Sequence, residues 1–200
     1  MIRAFIAVEI DQSSKQKISK LISFFKQANA DVKWVNENQM HLTLKFLGNI
    51  KETRVQEISD TLESIANDTS VFNIHLSKIG AFPNIHKPRV IWIGIDKGAE
   101  NLKNLAAQIE NKLEKTDFTK EKREYKAHLT LGRVKSLKNI SRLTKLISKT
   151  NFKSESEIQI QKLTLFQSTL TSKGAIYTPL KELALKQQKD TFPIGPVDVS

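Results

Sequence analysis

The sequence predicts an α+β protein: one bilobal domain of two pseudo-symmetric antiparallel-sheet lobes, with outer helices and a central groove. His41-Leu42-Thr43-Leu44 recurs as His128-Leu129-Thr130-Leu131, 87 positions later in a chain of 200 residues. The same shift of 87 carries the other elements of the first half onto counterparts in the second, 2–9 to 89–96, 11–27 to 98–114, 41–48 to 128–135 and 71–80 to 158–167. The order of strands and helices would also suit a doubly wound parallel sheet, but that fold favours a Gly-rich phosphate loop after its first strand and none is present. The expected organisation is a single domain over 1–186, containing a repeat of 2–80 and 89–167, followed by a loose tail at 187–200.

Residues 2–9 alternate as a strand, and Asp11 stands where it can cap a helix whose apolar stripe is Ile18, Leu21, Ile22 and Phe25. The first His strand covers 41–48, with Gly48 expected to end it. A helix over 52–66 follows, and 71–81 alternates again. Phe82 to Pro88 reads as a loop because Pro83 and Pro88 bracket it, and it delivers the chain to an apolar strand at 89–93. From there the order restarts: a helix at 99–115, the second His strand at 127–134, a helix at 138–150, and strands at 156–167 and 175–184. From Gln187 onward, with Pro193 and Pro196, no periodicity remains.

A hydrophobic content of 39% in 200 residues is ample for a buried core without covalent staples. The absence of cysteine excludes disulfides, Cys-based zinc sites and thiol nucleophiles. Residues 1–10 read as a strand containing Arg3 and Glu9 rather than a secretory signal, and no apolar run approaches the ~20 residues that span a bilayer. The expectation is a cytoplasmic protein with no membrane partner and no obligate protein partner. A net charge of +11 points to a polyanion. The excess gathers at Lys112, Lys115, Lys120, Lys122, Arg123 and Lys126 before the second His phrase, and at Arg133, Lys135, Lys138, Arg142, Lys145 and Lys149 after it.

Period-two alternation puts the His and Thr of each phrase on one strand face and the two leucines on the other, toward a core. Histidine can give or take a proton near neutrality, so two of them across a cleft are the minimum equipment for in-line displacement at phosphorus. The neighbouring Thr43 and Thr130 offer neutral hydroxyls for phosphate oxygens. His75, on the polar face of its strand, and His86, in the proline-bracketed loop, read as solvated side chains. A metal site would need a third inward ligand, yet each phrase histidine is followed on its own face by threonine.

The two phrases, Arg3-Ala4-Phe5-Ile6-Ala7, the stretch His41 to Gly48, the segment Phe82 to Gly94, and Leu165-Phe166-Gln167-Ser168 leading to Gly174-Ala175-Ile176-Tyr177 together resemble the 2H phosphoesterase superfamily. The similarity is to its RNA 2′,3′-cyclic phosphodiesterases, first described as 2′-5′ RNA ligases, and runs through residues 1–184. Ala127 departs from the proline that many relatives carry before the second histidine, a change at strand entry rather than in the chemistry. The resemblance implies a bilobal 2H phosphoesterase fold whose groove holds both histidines, no metal and no cofactor. It also implies an RNA substrate whose terminal cyclic phosphate is opened to a 2′-phosphomonoester. It makes His41 the proton donor and His128 the proton acceptor, with Thr43 and Thr130 on the phosphate oxygens. Arg133 is the candidate cation for the phosphate, provided a bulge at Gly132 turns it to the face of His128. Phe5, Trp34, Phe82 and Tyr125 could stack a terminal base, whereas Trp92, in an apolar run, is expected in the core. The rival readings are a 2′-5′ RNA ligase using the same histidines and a non-catalytic RNA-binding module.

Overall fold

The structure, a computed structural model, describes residues 1–172 and 174–187; all of the expected tail except Gln187 lies outside the described residues. Its strands are β1 (Ile2–Val8), β2 (Val32–Trp34), β3 (Leu42–Ile50), β4 (Phe72–Phe82), β5 (Val90–Lys97), β6 (His128–Val134), β7 (Ile158–Ile160), β8 (Lys162–Thr171) and β9 (Gly174–Ala184). The helices are α1 (Gln12–Lys26), α2 (Val55–Asp68), α3 (Ala99–Glu114) and α4 (Ile140–Lys149), and short 3-10 turns occupy Glu37–Gln39 and Glu52–Arg54. Asp11 caps α1 as expected, its carboxylate accepting from the Ser14 backbone N–H at 2.9 Å.

Two antiparallel sheets form, with strand orders β3-β1-β8-β9 and β2-β6-β5-β4-β7. In each, the His strand pairs with the central strand of its own sequence half. The next strand is exchanged: β8, from the second half, pairs with β1, and β4, from the first half, pairs with β5. The halves of the sequence are therefore not the lobes of the molecule.

This exchange splits the single strand expected at 156–167. β7 pairs with β4 in the second sheet, the chain breaks at Gln161, and β8 joins the first sheet. Gly48 does not end β3. It sits inside the strand at φ +71°, opposite Ala4 beside a register shift, a backbone position glycine takes without a Cβ penalty, and pairing continues to Ile50. The repeat also slips in register. Thr43 lies opposite Ala7, but Thr130 lies opposite Trp92 rather than Gly94, the counterpart of Ala7 at 87 positions.

The apolar faces of both sheets merge into one core. Ile6, Leu42, Leu44, Leu163 and Leu165 of the first sheet and Ile74, Ile91, Ile93, Leu129 and Leu131 of the second belong to it together with the buried faces of all four helices. Each such side chain contributes about 1.5–3 kcal/mol by leaving water. The helices pack in two pairs, α1 with α4 and α2 with α3. No helix among the described residues is long and apolar enough to cross a membrane.

Candidate active site

With their leucines in the core, β3 and β6 approach each other where the two sheets meet. Both strands bulge at the same place in the repeat. In β3 the register skips Leu44, between the pairs Ala7–Thr43 and Ile6–Lys45, and in β6 it skips Leu131, between Trp92–Thr130 and Ile91–Gly132. A bulge places two consecutive residues against one partner and reverses the alternation beyond it. Lys45 is thereby buried, its Nζ donating to Glu110 Oε2 at 2.5 Å and to the Thr119 carbonyl at 3.0 Å. The reversal brings Phe46 (64% exposed) and its repeat counterpart Arg133 to the surface, and the charge of Arg133 reaches the His128 ring.

The two imidazoles are held alike at one nitrogen and differently at the other. His41 Nδ1–H donates to the Gln39 carbonyl at 2.8 Å and His128 Nδ1–H to the Lys126 carbonyl at 2.6 Å, in each case the residue two positions earlier. These bonds fix the tautomer that leaves the Nε2 lone pair available. His41 Nε2 accepts from the Thr43 hydroxyl at 3.0 Å. Among the described residues His128 Nε2 has no such partner, so its lone pair is open. Burial pushes His41 down to about 4 despite the Gln39 bond, helped by the charges of Lys15 and His128. His128 is lowered by burial and by Arg133, against the Lys126 bond. The rings are thus close enough to feel each other's charge, and both are neutral near pH 7 without an anion beside them.

Aromatic residues wall each ring. Around His41 stand Phe5 at 4.8 Å between centroids, Tyr177 at 5.2 Å and Phe166 at 6.2 Å, and Phe5 stacks on Phe166 at 5.2 Å. Around His128 the wall is Phe82, edge-on at 5.0 Å, which in turn touches Trp92 at 5.2 Å. Trp92 is half-buried, away from the Ile91–Ile93 core face, and its indole lies across Gly80 and Gly94, where any Cβ at Gly80 would collide with it. This corrects the expectation of a core tryptophan: in an apolar strand the neighbours, Ile91 and Ile93, already fill the core side. Of the four candidate base-stackers, Phe5 and Phe82 flank the histidines. Trp34 stacks instead on the core residue Phe25, and Tyr125 packs against the core with its hydroxyl buried.

His86 is exposed, as expected. His75 is not solvated: its Nδ1 bonds Asp96 at 2.6 Å and its Nε2 bonds the Ser154 carbonyl at 2.7 Å, a clamp between β4, β5 and the segment before β7. Phe166 and Tyr177 stand against the His41 ring with no signal in the two phrases, and Phe46 meets Phe5 at 6.2 Å between centroids. Phe46 is legible in hindsight as the repeat counterpart of Arg133, and Phe166 by its alternation with the core residue Leu165. Among the described residues no three His, Asp or Glu side chains are grouped to hold a metal ion.

The profile of the LigT-like phosphoesterase family matches the chain twice, over 8–92 and 93–177. The chain belongs to this family. Each match spans one copy of the phrase. The chain is 38% identical over 180 residues to an RNA 2′,3′-cyclic phosphodiesterase of Methanocaldococcus jannaschii, covering 90% of this chain and 99% of the relative. It is 36% identical over 179 residues to one of Archaeoglobus fulgidus, covering 90% and 98%. Among solved structures the fold matches TT0787 of Thermus thermophilus (TM-score 0.78, 23% identity, 94% of this chain and 100% of that one). It also matches E. coli LigT complexed with 3′-AMP (TM-score 0.74, 22% identity, 93% and 99%).

Proposed function

We propose that the groove hydrolyses the 2′,3′-cyclic phosphate at an RNA end to a 2′-phosphomonoester. The observation that carries this reading is the pairing of two imidazoles with the same tautomer-fixing Nδ1 bond, one with its Nε2 lone pair open. The family's RNA 2′,3′-cyclic phosphodiesterases, similar over nine-tenths of the chain, support the substrate.

In the proposed reaction His128 Nε2 takes a proton from water as the water oxygen bonds to phosphorus. The bond from phosphorus to the 3′-oxygen breaks opposite the attack, and His41 Nε2–H gives its proton to that oxygen. The products are a 3′-hydroxyl and a 2′-phosphomonoester, and the second turnover begins once the His128 proton has been passed back to His41 through solvent. The open lone pair suits His128 to the role of base. His41 must first be protonated, which burial opposes, and the substrate supplies the remedy: a phosphodiester anion against Nε2 favours the imidazolium. The Thr43 hydroxyl then turns to accept rather than donate. Thr43, Thr130 and Arg133 would hold the non-bridging oxygens, where neutral and cationic donors stabilise the charge that builds in the transition state. Nothing in this scheme requires a metal ion.

The test is a short RNA ending in a 2′,3′-cyclic phosphate, incubated with the protein in excess EDTA. A 2′-phosphate product formed at an undiminished rate is expected. A 3′-phosphate product, recovery only on adding zinc, or joining to a 5′-hydroxyl acceptor in place of hydrolysis would contradict the proposal.

A further inference from the structure

The two basic clusters of the sequence have different fates in the fold. Residues 99–127 carry seven cations but also six acids, and pairs form there: Lys112 with Asp68 at 3.8 Å, Lys120 with Glu114 at 3.4 Å and Lys103 with Glu124 at 3.2 Å. The neighbouring α2 has four acids and no Lys or Arg. Residues 135–153, by contrast, carry six cations and no acid, and residues 12–30 carry four cations and no acid. These segments hold α4 and α1, which pack together. Asn139 at the start of α4 donates to the Asn29 carbonyl beyond the end of α1 at 2.9 Å, and Lys17 near the start of α1 bonds Glu155 beyond the end of α4 at 2.6 Å, so the two helices run antiparallel.

Of these ten cations only Lys15 and Lys17 have acidic partners among the described residues. Lys20, Lys26, Lys135, Lys138, Arg142, Lys145, Lys149 and Lys153 are all exposed and unpaired there. Arg142, Lys145 and Lys149 follow helical spacing, so they form one stripe on the side of α4 opposite the buried Leu143 and Ile147, and Lys138 lies in the turn just before the helix. The stripe is linked to the histidine site along the chain. β6 runs from His128 to Arg133, Arg133 faces Lys33 across the β2–β6 ladder, and Lys135 and Lys138 lead into α4.

We propose that this α1–α4 face is an exosite for the phosphodiester backbone of an RNA whose end occupies the groove. The proposal rests on the cyclic-phosphodiesterase reading above. Segregation is what distinguishes it from a generally lysine-rich surface: the α2–α3 cations are interleaved with acids, whereas 12–30 and 135–153 carry none, with Asp11, Asp31 and Glu155 only at their margins. An RNA backbone matches a row of unpaired cations that follows, along the chain, directly on the strand carrying His128 and Arg133. An anionic membrane would draw on the exposed Leu137 and Phe24 as well.

The test compares Arg142→Glu/Lys145→Glu/Lys149→Glu with the unaltered chain on two substrates, a mononucleoside 2′,3′-cyclic phosphate and an RNA of ~20 nucleotides with the same end. Each lost phosphate contact should flatten the log–log salt dependence by about 0.7 for single strands. The triple variant should therefore lose about two units of slope and at least ~10-fold in kcat/KM on the long RNA. The mononucleotide should turn over as before. A control of equal charge change, Lys115→Glu/Lys122→Glu/Arg123→Glu, should stay close to the unaltered chain on both. Equal losses on both substrates, no loss on the long one, or equal losses in the control would overturn the proposal.

If the unaltered chain hydrolyses neither substrate, the functional reading fails, and binding of an unreactive 3′-hydroxyl RNA still decides the exosite: weaker binding by the triple variant supports it, unchanged binding overturns it. Vesicles of phosphatidylserine and phosphatidylcholine provide the last arm. Vesicle binding that the triple variant abolishes while RNA binding is unchanged would assign the face to a membrane and overturn the proposal.

Discussion

His41 and His128 begin with the same intrinsic acidity, so the difference between them comes from what touches each ring. His41 is walled by Phe5, Phe166 and Tyr177 and capped at Nε2 by Thr43, and it is pushed down to about 4, first by burial. A folded-state value below the ordinary ~6.5 means that the folded protein binds fewer protons than the unfolded chain, so stability rises with pH through that window. His41 should add on the order of 3 kcal/mol that is fully present above pH ~6.5 and lost as the pH falls toward about 4. Denaturant unfolding between pH 4 and 7 should show this slope, and His41→Gln should remove most of it, leaving the smaller contribution of His128. A slope unchanged by the substitution would mean that the ring is not desolvated as described. Both phrases were legible from alternation alone. The asymmetry was not, because it depends on Phe166 and Tyr177, which reach the ring from strands more than a hundred residues away in sequence.

At the scale of elements, periodicity located every helix and every long strand except β8 to within a few residues, Asp11 and the leucine faces among the clearest signals. What it lost were breaks in period. The bulges at Leu44 and Leu131 return Phe46 and Arg133 to the exposed surface, and only the glycine at 132 hinted at either. Three-residue strands such as β2 and β7 carry too few residues to display alternation. Trp92 reads as core in an apolar run, yet β4 and β5 offer it a bed made of Gly80 and Gly94. That bed makes a specific demand: Gly80→Ala must lift the indole or shift β4, costing about 1–3 kcal/mol as overpacking does. Ser141→Ala, at an exposed position of α4, should change stability by no more than about 0.5 kcal/mol in urea unfolding. Equal, small effects at both positions would show that Trp92 does not lie on Gly80.

At the scale of the whole molecule, the exchange of β4 and β8 ties the lobes together. Each sheet holds two strands from the other sequence half, β8 and β9 in the first and β2 and β4 in the second, and one apolar core runs under both. The chain should therefore unfold in one cooperative transition, coincident by fluorescence and circular dichroism, and neither half cut near residue 88 should fold alone. Two resolved transitions would contradict the exchanged sheets. The repeat made the two-lobed antiparallel architecture legible, but a shift of 87 reads the same whether the third strands stay or swap, so the swap was invisible in sequence.

In the proposed reaction one groove divides a single displacement between two matched histidines, His128 taking a proton and His41 giving one. His41→Ala and His128→Ala should each lower kcat/KM on a cyclic-phosphate RNA by roughly 10²–10⁴-fold. A cyclic analogue with sulfur in place of the 3′-oxygen has a leaving group that needs no proton. The deciding measurement is the rate of each variant on that analogue. His41→Ala should recover to near the unaltered rate while His128→Ala remains slow; recovery of His128→Ala instead would reverse the roles, and near-normal rates of both variants on the oxygen substrate would contradict the two-histidine mechanism outright.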